Sequence, residues 1–525
     1  MLETTVTQIQ HSATATPCLA AILSQRDSWL ARAEALKPVL KHWRVNAAWM
    51  VSPMEDQNAW QGIRMERRPL LPFLSEHSFR TGDTLMVELP ETVVGRLCFR
   101  LIETTGYADS PARLRITCAE LPAELIHVDD PFTGILNPAW LPTEIITVDD
   151  LPAAVALLRR YSCRFLRIDF LGVPGRLRLQ DLHILAEGAE DFLPSPPHAL
   201  SPIQQQLHIA SVRTFRNCMQ TCLEDGPKRD RRLWTGDLRL QALLNRLTYR
   251  RFDLVERCLY LLAANVSPNG ELPGCVFERP TPHPGCMMHD YALLFSVVLE
   301  EHCRWSGNLR VGKDLFALAA YQFEFLSRFM QNGVFHIPPE DRQDFFIDHC
   351  PTLDKQASLH GLALFSLHAL IRLAGLLGHP TAYWKNLAEQ WRNAARQTFF
   401  NSATGLMESG ATRQISYASQ IWMILGGVFS PVEGRRALRN VEQTSAAVCP
   451  TTPYMMHYLL EAYALCGDHQ RIAELVDAYW GGMLRQGADT FWESYVPDKP
   501  FFSPYHDFRL NSSCHAWSAT PACFL

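Results

Sequence analysis

The apolar residues of this chain change their period once, at a proline cluster, and that change limits the possible folds more than any other feature. Upstream of Leu193-Pro194-Ser195-Pro196-Pro197, from about Thr84 to Ile184, the period is two. In Arg113–Cys118, Leu114, Ile116 and Cys118 alternate with Arg113, Arg115 and Thr117; in Arg176–Leu179, Leu177 and Leu179 alternate with Arg176 and Arg178. Successive side chains of a strand point to opposite faces. Such runs, cut by turns at Asp109-Ser110-Pro111 and Val173-Pro174-Gly175, therefore predict antiparallel strands with one buried face. Downstream the spacing is helical. Leu318, Tyr321, Phe325 and Phe329 form one stripe, and similar stripes run through Leu243–Leu262, Leu359–Leu377 and Met456–Ala464.

Proline extends neither a ladder nor a helix interior, so the boundary falls at the cluster. The chain reads as multidomain β plus α: an N-terminal antiparallel β-sandwich with a leading helical segment over 1–192, a Pro-rich linker over 193–202, and a helical domain over 203–525. At 525 residues a single core is not expected. The first 40 or so residues read as helical or irregular and are expected to pack against the sandwich. The stripes amount to roughly eleven or twelve helices. Twelve can close into a double-layered (α/α)6 toroid, but a general helical array would show the same stripes. No repeat of 20–50 residues marks a solenoid.

The net charge of −5 and the absence of a Lys/Arg run exclude an electrostatic footprint for nucleic acid. Met1–Val51 lacks a basic stretch followed by an apolar one, and no segment reads as a membrane span. Fifteen cysteines, odd in number and without a CxxC pair, read as reduced thiols. Together these features predict a cytoplasmic protein. The 13 Trp suit stacking on the apolar faces of sugars, and they suit a large helical core equally well.

Chemistry concentrates in Glu224-Asp225-Gly226-Pro227-Lys228-Arg229-Asp230-Arg231-Arg232-Leu233-Trp234-Thr235-Gly236-Asp237. Four carboxylates, four cations and a Trp share fourteen residues, just ahead of an apolar helix beginning at Leu238. By composition this is equally a salt-bridged loop ending in an N-cap at Thr235-Gly236-Asp237. Met288-His289-Asp290-Tyr291 and Phe345-Phe346-Ile347-Asp348-His349 are two further polar and aromatic segments, where Asp290 and Asp348 could equally be helix caps. Cys275, His283, Cys286 and His289 lack the paired spacing of a zinc knuckle, so neither metal nor cofactor is expected. No Gly-rich phosphate loop and no Gly-x-Ser-x-Gly elbow occurs.

The string resembles the signature of glycoside hydrolase family 78, the α-L-rhamnosidases, roughly Asp-Cys-Pro-x-Arg-Glu-x-Leu-Gly-Trp-Thr-Gly-Asp. Asp225, Pro227, Arg229, Trp234, Thr235, Gly236 and Asp237 fit that frame. Ala488-Asp489-Thr490-Phe491-Trp492-Glu493 resembles the family's late Trp-Glu segment, and Asn511–Trp517 its Ser/Asn-rich segment with a sugar-binding His. The resemblance covers the whole chain and implies a β-sandwich followed by a six-hairpin toroid, with a homodimer as a further expectation. It implies hydrolysis, with inversion, of terminal α-L-rhamnosyl residues from a small glycoside or oligosaccharide.

The bond dictates two carboxyls. One must protonate the leaving oxygen; the other must activate water on the opposite face of a ring that develops oxocarbenium character. The resemblance puts Asp230 in the acid slot and Glu493 in the base slot. It makes Asp225, Arg229, Trp234, Asp237, His515 and Trp492 substrate-binding residues, with Asp290 and Asp348 as secondary ones. Two departures stand out. Asp230 replaces the usual Glu and is one methylene shorter, with Arg229 and Arg231 beside it; Gly226 replaces the usual Cys. Two other readings compete: a toroid glycosidase of the unsaturated uronyl hydrolase type, and a catalytically silent sugar-binding homologue that lost its acid at position 230.

Overall fold

The computed structural model describes residues 18–104 and 110–525. Nine strands form one antiparallel system: β1 (Lys41–Asn46), β2 (Trp49–Glu55), β3 (Ile63–Pro69), β4 (Thr84–Glu103), β5 (Ala112–Ala119), β6 (Thr143–Val148), β7 (Ala153–Ala156), β8 (Tyr161–Gly172) and β9 (Leu177–Gly188). The long strand β4 serves two layers. Its first half pairs with β2 and β8, its second half with β9 and β7. The layers change over at Gly95, where β8 and β9 both pair; a Cβ there would lie 2.3 Å from the Leu185 carbonyl oxygen, so only glycine fits. Leu114, Ile116, Cys118, Leu177 and Leu179, the alternating residues of the sequence, all point into the enclosed core. Each large aliphatic side chain buried there contributes about 1.5–3 kcal/mol.

Two short helices precede the strands, α1 (Leu19–Leu23) and α2 (Arg26–Ala35); α3 (Leu70–Glu76) and α4 (Pro122–Ile126) lie between them. The leading segment from Cys18 departs from expectation: it packs on the helical domain, not on the sandwich, and residues 1–17 of that expectation lie outside the described residues. Ile22, Trp29 and Ala33 belong to the helical core. Arg32 donates to Tyr260 at 2.9 Å and pairs with Asp314, and the fully buried Arg257 donates to the Ala33 carbonyl. Helical periodicity identifies an apolar face but not the surface that will cover it.

The rest is helical: α5 (Pro202–Cys218), α6 (Thr235–Leu247), α7 (Phe252–Ala264), α8 (His289–Ser306), α9 (Leu309–Leu326), α10 (Gln356–Leu377), α11 (Ala382–Phe399), α12 (Tyr417–Leu425), α13 (Pro431–Glu442), α14 (Pro453–Leu465) and α15 (His469–Arg485). Ser201 and Gln204 form a capping box with Pro202 at the first turn, which starts α5 directly after the prolines. From α8 onward burial alternates along the series, while α7 is as buried as α6 because α2 covers it. In α8, 15 of 18 residues are buried; in α11, also 18 residues long, only four are. The even-numbered helices α6, α8, α10, α12 and α14 pack on one another as an inner ring, and the odd-numbered ones pack outside. One-turn helices at Ala516–Ser518 and Thr520–Phe524 take the twelfth position and close the ring against α6, while α15 meets α5. This alternation selects the toroid over a general array. Among the described residues, α10 is the one helix long and apolar enough to cross a membrane, and 67% of its most apolar stretch is buried in the ring.

Candidate active site

The inner helices begin at one end of the ring, and the polar residues singled out in the sequence collect there. The loop from α5 to α6 folds on itself: the Asp225 amide donates to the Arg232 carbonyl at 3.0 Å, and the Arg232 amide returns to Asp225 Oδ1 at 3.0 Å. Ala516 donates to the Asp225 carbonyl at 2.8 Å, which joins this loop to the C-terminal segment. At the tip, Asp230 and Arg231 both have left-handed backbones, φ 62° and 56°. Such a conformation costs roughly 1–2 kcal/mol per non-glycine residue. Arg231 holds the turn by donating to the Pro227 and Arg160 carbonyls at 2.9 and 2.6 Å, so its charge faces away from Asp230. The cations beside Asp230 are Arg229 at 3.1 Å and Arg232 at 3.7 Å. Trp234, not the Thr235-Gly236-Asp237 triplet, is the N-cap of α6, and Asp237 lies in its first turn. Gly236 allows the Tyr291 ring to lie over that turn, since a Cβ would fall 2.3 Å from it.

Glu493 arrives from the other end of the chain and is buried. Its carboxylate accepts from Arg229 Nη2 at 2.7 Å, Tyr505 Oη at 2.6 Å and the Ser512 amide at 2.9 Å. Burial raises its pKa, but Arg229 and these hydrogen bonds prevail and bring it down to about 2. Arg229 therefore spans the two candidate catalytic carboxyls, one on each terminal nitrogen. Those two contacts bound the separation of the nearest carboxyl oxygens of Asp230 and Glu493 at about 8 Å.

Behind them stands a second group. His515 lies 3.9 Å from Asp225 Oδ2 and 3.7 Å from Asp237 Oδ1, beyond hydrogen-bond reach. Burial brings the imidazole down to about 3 and pushes the Asp225 and Asp237 carboxyls up, so His515 is neutral at pH 7. Asp237 Oδ1, His515 Nδ1 and Trp234 Nε1 are buried and make no hydrogen bond among the described residues. Buried polar atoms are normally paired; here Asp237 Oδ1 and His515 Nδ1 lie 3.7 Å apart without a hydrogen bond, so both are left unsatisfied. Aromatic rings pack around these groups. Tyr291 meets Trp234 edge-on at 6.3 Å, Phe346 stacks on Trp517 at 5.8 Å, and His515 lies 4.4 Å from Trp517. A Cβ at residue 226 would sit 2.9 Å from Ser512 Oγ and 3.2 Å from His515 Cδ2, so Gly226 lets the C-terminal segment approach.

The structure thus brings together Asp225, Arg229, Asp230, Trp234, Asp237, Glu493 and His515. Three residues are placed otherwise. Asp290 accepts from the Phe346 and Ile347 amides, and Asp348 from Thr451, Thr452 and its neighbour His349. Both carboxylates have both oxygens engaged, so they hold the 345–349 loop and neither serves as a helix cap. Trp492 turns away from Glu493, onto Trp60 of the sandwich at 5.1 Å, because neighbours in extended chain point apart. The residue missed in the sequence is Tyr505; His349 and Ser512 lie in segments the sequence singles out, but without a role of their own. Tyr505 also lies under the Arg229 guanidinium at 4.2 Å. No local pattern marks Tyr505, which reaches Glu493 across an irregular loop.

Two family models match the chain. The glycosyl hydrolase family 78 alpha-rhamnosidase N-terminal domain matches residues 47–186, and the bacterial alpha-L-rhamnosidase 6 hairpin glycosidase domain matches residues 200–525. Among solved structures, a rhamnosidase from Klebsiella oxytoca with rhamnose bound is 35% identical, with a TM-score of 0.91 over 95% of this chain and 98% of that one. The family 78 rhamnosidase of Bacillus sp. GL1 is 17% identical (TM-score 0.73; 88% of this chain, 49% of that one). The Streptomyces avermitilis α-L-rhamnosidase complexed with L-rhamnose is 14% identical (TM-score 0.65; 93% and 44%). The last two share the fold alone. No curated protein sequence matches.

Proposed function

The chain belongs to glycoside hydrolase family 78, and from that membership we propose that it is an α-L-rhamnosidase, hydrolysing terminal α-L-rhamnosyl residues from small glycosides or oligosaccharides with inversion. The observation that carries the reading is the single guanidinium of Arg229 with Asp230 on one nitrogen and Glu493 on the other, in the same cluster as the unpartnered Asp237 Oδ1 and His515 Nδ1. Glu493, ionised throughout the neutral range, takes a proton from water as that water attacks the anomeric carbon. Asp230, the more exposed of the two carboxyls, gives its proton to the departing glycosidic oxygen. The upper bound of about 8 Å admits the lower part of the 6.5–9.5 Å carboxyl spacing of inverting enzymes and also the shorter retaining spacing, so the product's anomeric form decides between them. Asp225, Asp237, His515 and Trp234 hold ring hydroxyls, which for Asp237, His515 and Trp234 supply the partners their buried atoms lack. Each acid or base is worth about 10²–10⁴-fold. The fifteen free thiols support a reducing compartment, the cytoplasm.

A silent sugar-binding role has one observation in its favour: Arg229 and Arg232 both lie beside the carboxyl that has to act as proton donor. Release of p-nitrophenol from its α-L-rhamnopyranoside separates the two readings. Turnover by the parent, abolished in Asp230→Asn and Glu493→Gln, supports the hydrolase; rhamnose binding without turnover supports the silent homologue. NMR of the fresh product should show β-L-rhamnose, and α-rhamnose would rule out inversion.

A further inference from the structure

Four consecutive residues, Leu510–Ser513, each have one backbone group held by an ionisable side chain. The Leu510 carbonyl accepts from Arg229 Nε at 3.0 Å and the Asn511 carbonyl from Lys228 Nζ at 2.9 Å. The Ser512 amide donates to Glu493 Oε2 at 2.9 Å, and the Ser513 amide to Glu120 Oε2. Cations take two successive carbonyls and carboxylates two successive amides. Arg229 and Glu493 belong to the site already described; Lys228 and Glu120 do not.

Lys228 is 2% exposed and lies between two carboxylates of the sandwich, Glu124 at 2.7 Å and Glu120 at 4.0 Å, themselves 5% and 1% exposed. Their other oxygens are engaged within the sandwich: Ser162 donates to Glu120 at 2.5 Å and the Leu121 amide to Glu124 at 3.1 Å. Burying such a trio is costly, and apolar residues of the same volume would usually stabilise as much or more. Stability alone therefore gives a weak reason for it. Its geometry gives a better one, because the trio ends on the peptide group that carries the Ser512 N–H, at its Asn511 carbonyl, and on the next peptide, at the Ser513 amide.

We propose that Lys228 and Glu120 are positioning residues for Glu493: the sandwich, acting through Lys228, fixes the Asn511–Ser513 backbone so that the Ser512 amide points at the base. The inference rests on Glu493 being the general base of a rhamnosidase. It makes the sandwich part of the catalytic apparatus, joined to it through buried charge. Burial pushes the Glu120 carboxyl up to about 7, consistent with a group whose surroundings were not arranged for charge alone.

The test is kcat, KM and the acid limb of kcat for p-nitrophenyl α-L-rhamnopyranoside, measured on full-length parent, Lys228→Met, Lys228→Arg and Glu120→Gln, with thermal melts of each. Arg229, Asp237, His349, Tyr505 and His515, which face Glu493, are unaltered in all three variants. Lys228→Met also removes a buried cation, whereas Glu120→Gln removes none, so it is the limb of Glu120→Gln that reports the Ser512 amide. Lys228→Met should lose about tenfold in kcat with KM within about threefold, and its acid limb should rise by about one pH unit. Lys228→Arg should recover most of both. Should Lys228→Met fail to fold, Glu120→Gln, which keeps the shape but weakens the Ser513 contact, should raise the limb by a smaller amount. Three results overturn the proposal: an unmoved limb in the folded variants, a kcat loss that merely tracks the folded fraction, or no rescue by arginine. A parent without turnover refutes the rhamnosidase reading and leaves no base to position; an active parent with unaltered variants refutes the positioning alone.

Discussion

Tyr505→Phe removes one oxygen and should move the acid limb of the pH profile upward. The hydroxyl is one of three donors to the Glu493 carboxylate, at 2.6 Å, and the ring beneath Arg229 is retained. A hydrogen bond to a charged acceptor is worth about 1.5–3 kcal/mol, and each pKa unit corresponds to about 1.4 kcal/mol, so the Glu493 pKa should rise by roughly one to two units. From about 2 it moves to about 3–4. The sign follows from which state is favoured. The folded protein depresses this pKa below its ordinary 4.5, so ionised Glu493 stabilises the fold above that pH and ceases to as pH falls through the folded value. The linkage is worth roughly 3 kcal/mol in the parent and about half that in the variant. At pH 7 the base is ionised in both proteins, and kcat should differ by less than about tenfold. The assay is kcat/KM for the p-nitrophenyl rhamnoside between pH 3 and 9, with acid-pH samples quenched in base before reading. Toward acid the parent should show no loss from Glu493 before the pH where it unfolds; the variant should already be declining near pH 4. Neither His515 nor His349, held at about 3 and about 4 by burial, should add a limb near 6.5. A variant whose limb coincides with the parent's would refute the argument that these hydrogen bonds set the state of Glu493.

Gly236→Ala places a methyl 2.3 Å from the Tyr291 ring at the first turn of α6; it should lower stability by about 1–3 kcal/mol and weaken rhamnose binding, read by thermal melts and calorimetric titration. Arg257→Met tests the seating of the leading helices. Arg257 is fully buried, donates to the Ala33 and Thr221 carbonyls and pairs with Glu278, so its loss should cost about 3–5 kcal/mol in urea unfolding and expose α2 to protease with KM little changed. A protease pattern identical to the parent's would count against that packing.

Much of the fold was legible because strand and helix periods are local properties of the backbone. The period change at Leu193–Pro197 separates the nine-stranded sheet system, whose last strand ends at Gly188, from the helical ring, whose first helix starts at Pro202. Legibility of the site was uneven. Asp225, Arg229, Asp230, Trp234 and Asp237 lie on one loop, where spacing along the chain is nearly spacing in space, and they do meet. Trp492 and Glu493 are neighbours in sequence and face different surroundings, one the sandwich, the other the pocket. Asp290 and Asp348 look like sugar ligands by composition, yet both are occupied by amides and a hydroxyl of neighbouring loops, and composition does not say which acceptor a donor will reach first.

By itself the sequence determined the order of elements, the change from strands to helices and the loop that carries most of the site, since these depend on residues a few positions apart. Tertiary structure alone decided three other matters. Closure of the ring brought Glu493 and His515 onto the Asp225–Asp237 loop. Packing chose the helical domain over the sandwich for α1 and α2. Burial determined which charges are shared, placing Arg229 between two carboxyls and Lys228 between the sandwich and the segment that supports the base. The physical reason is the same in each case: the strength of a charge or an apolar face depends on what excludes water from it, and that partner lies hundreds of residues away.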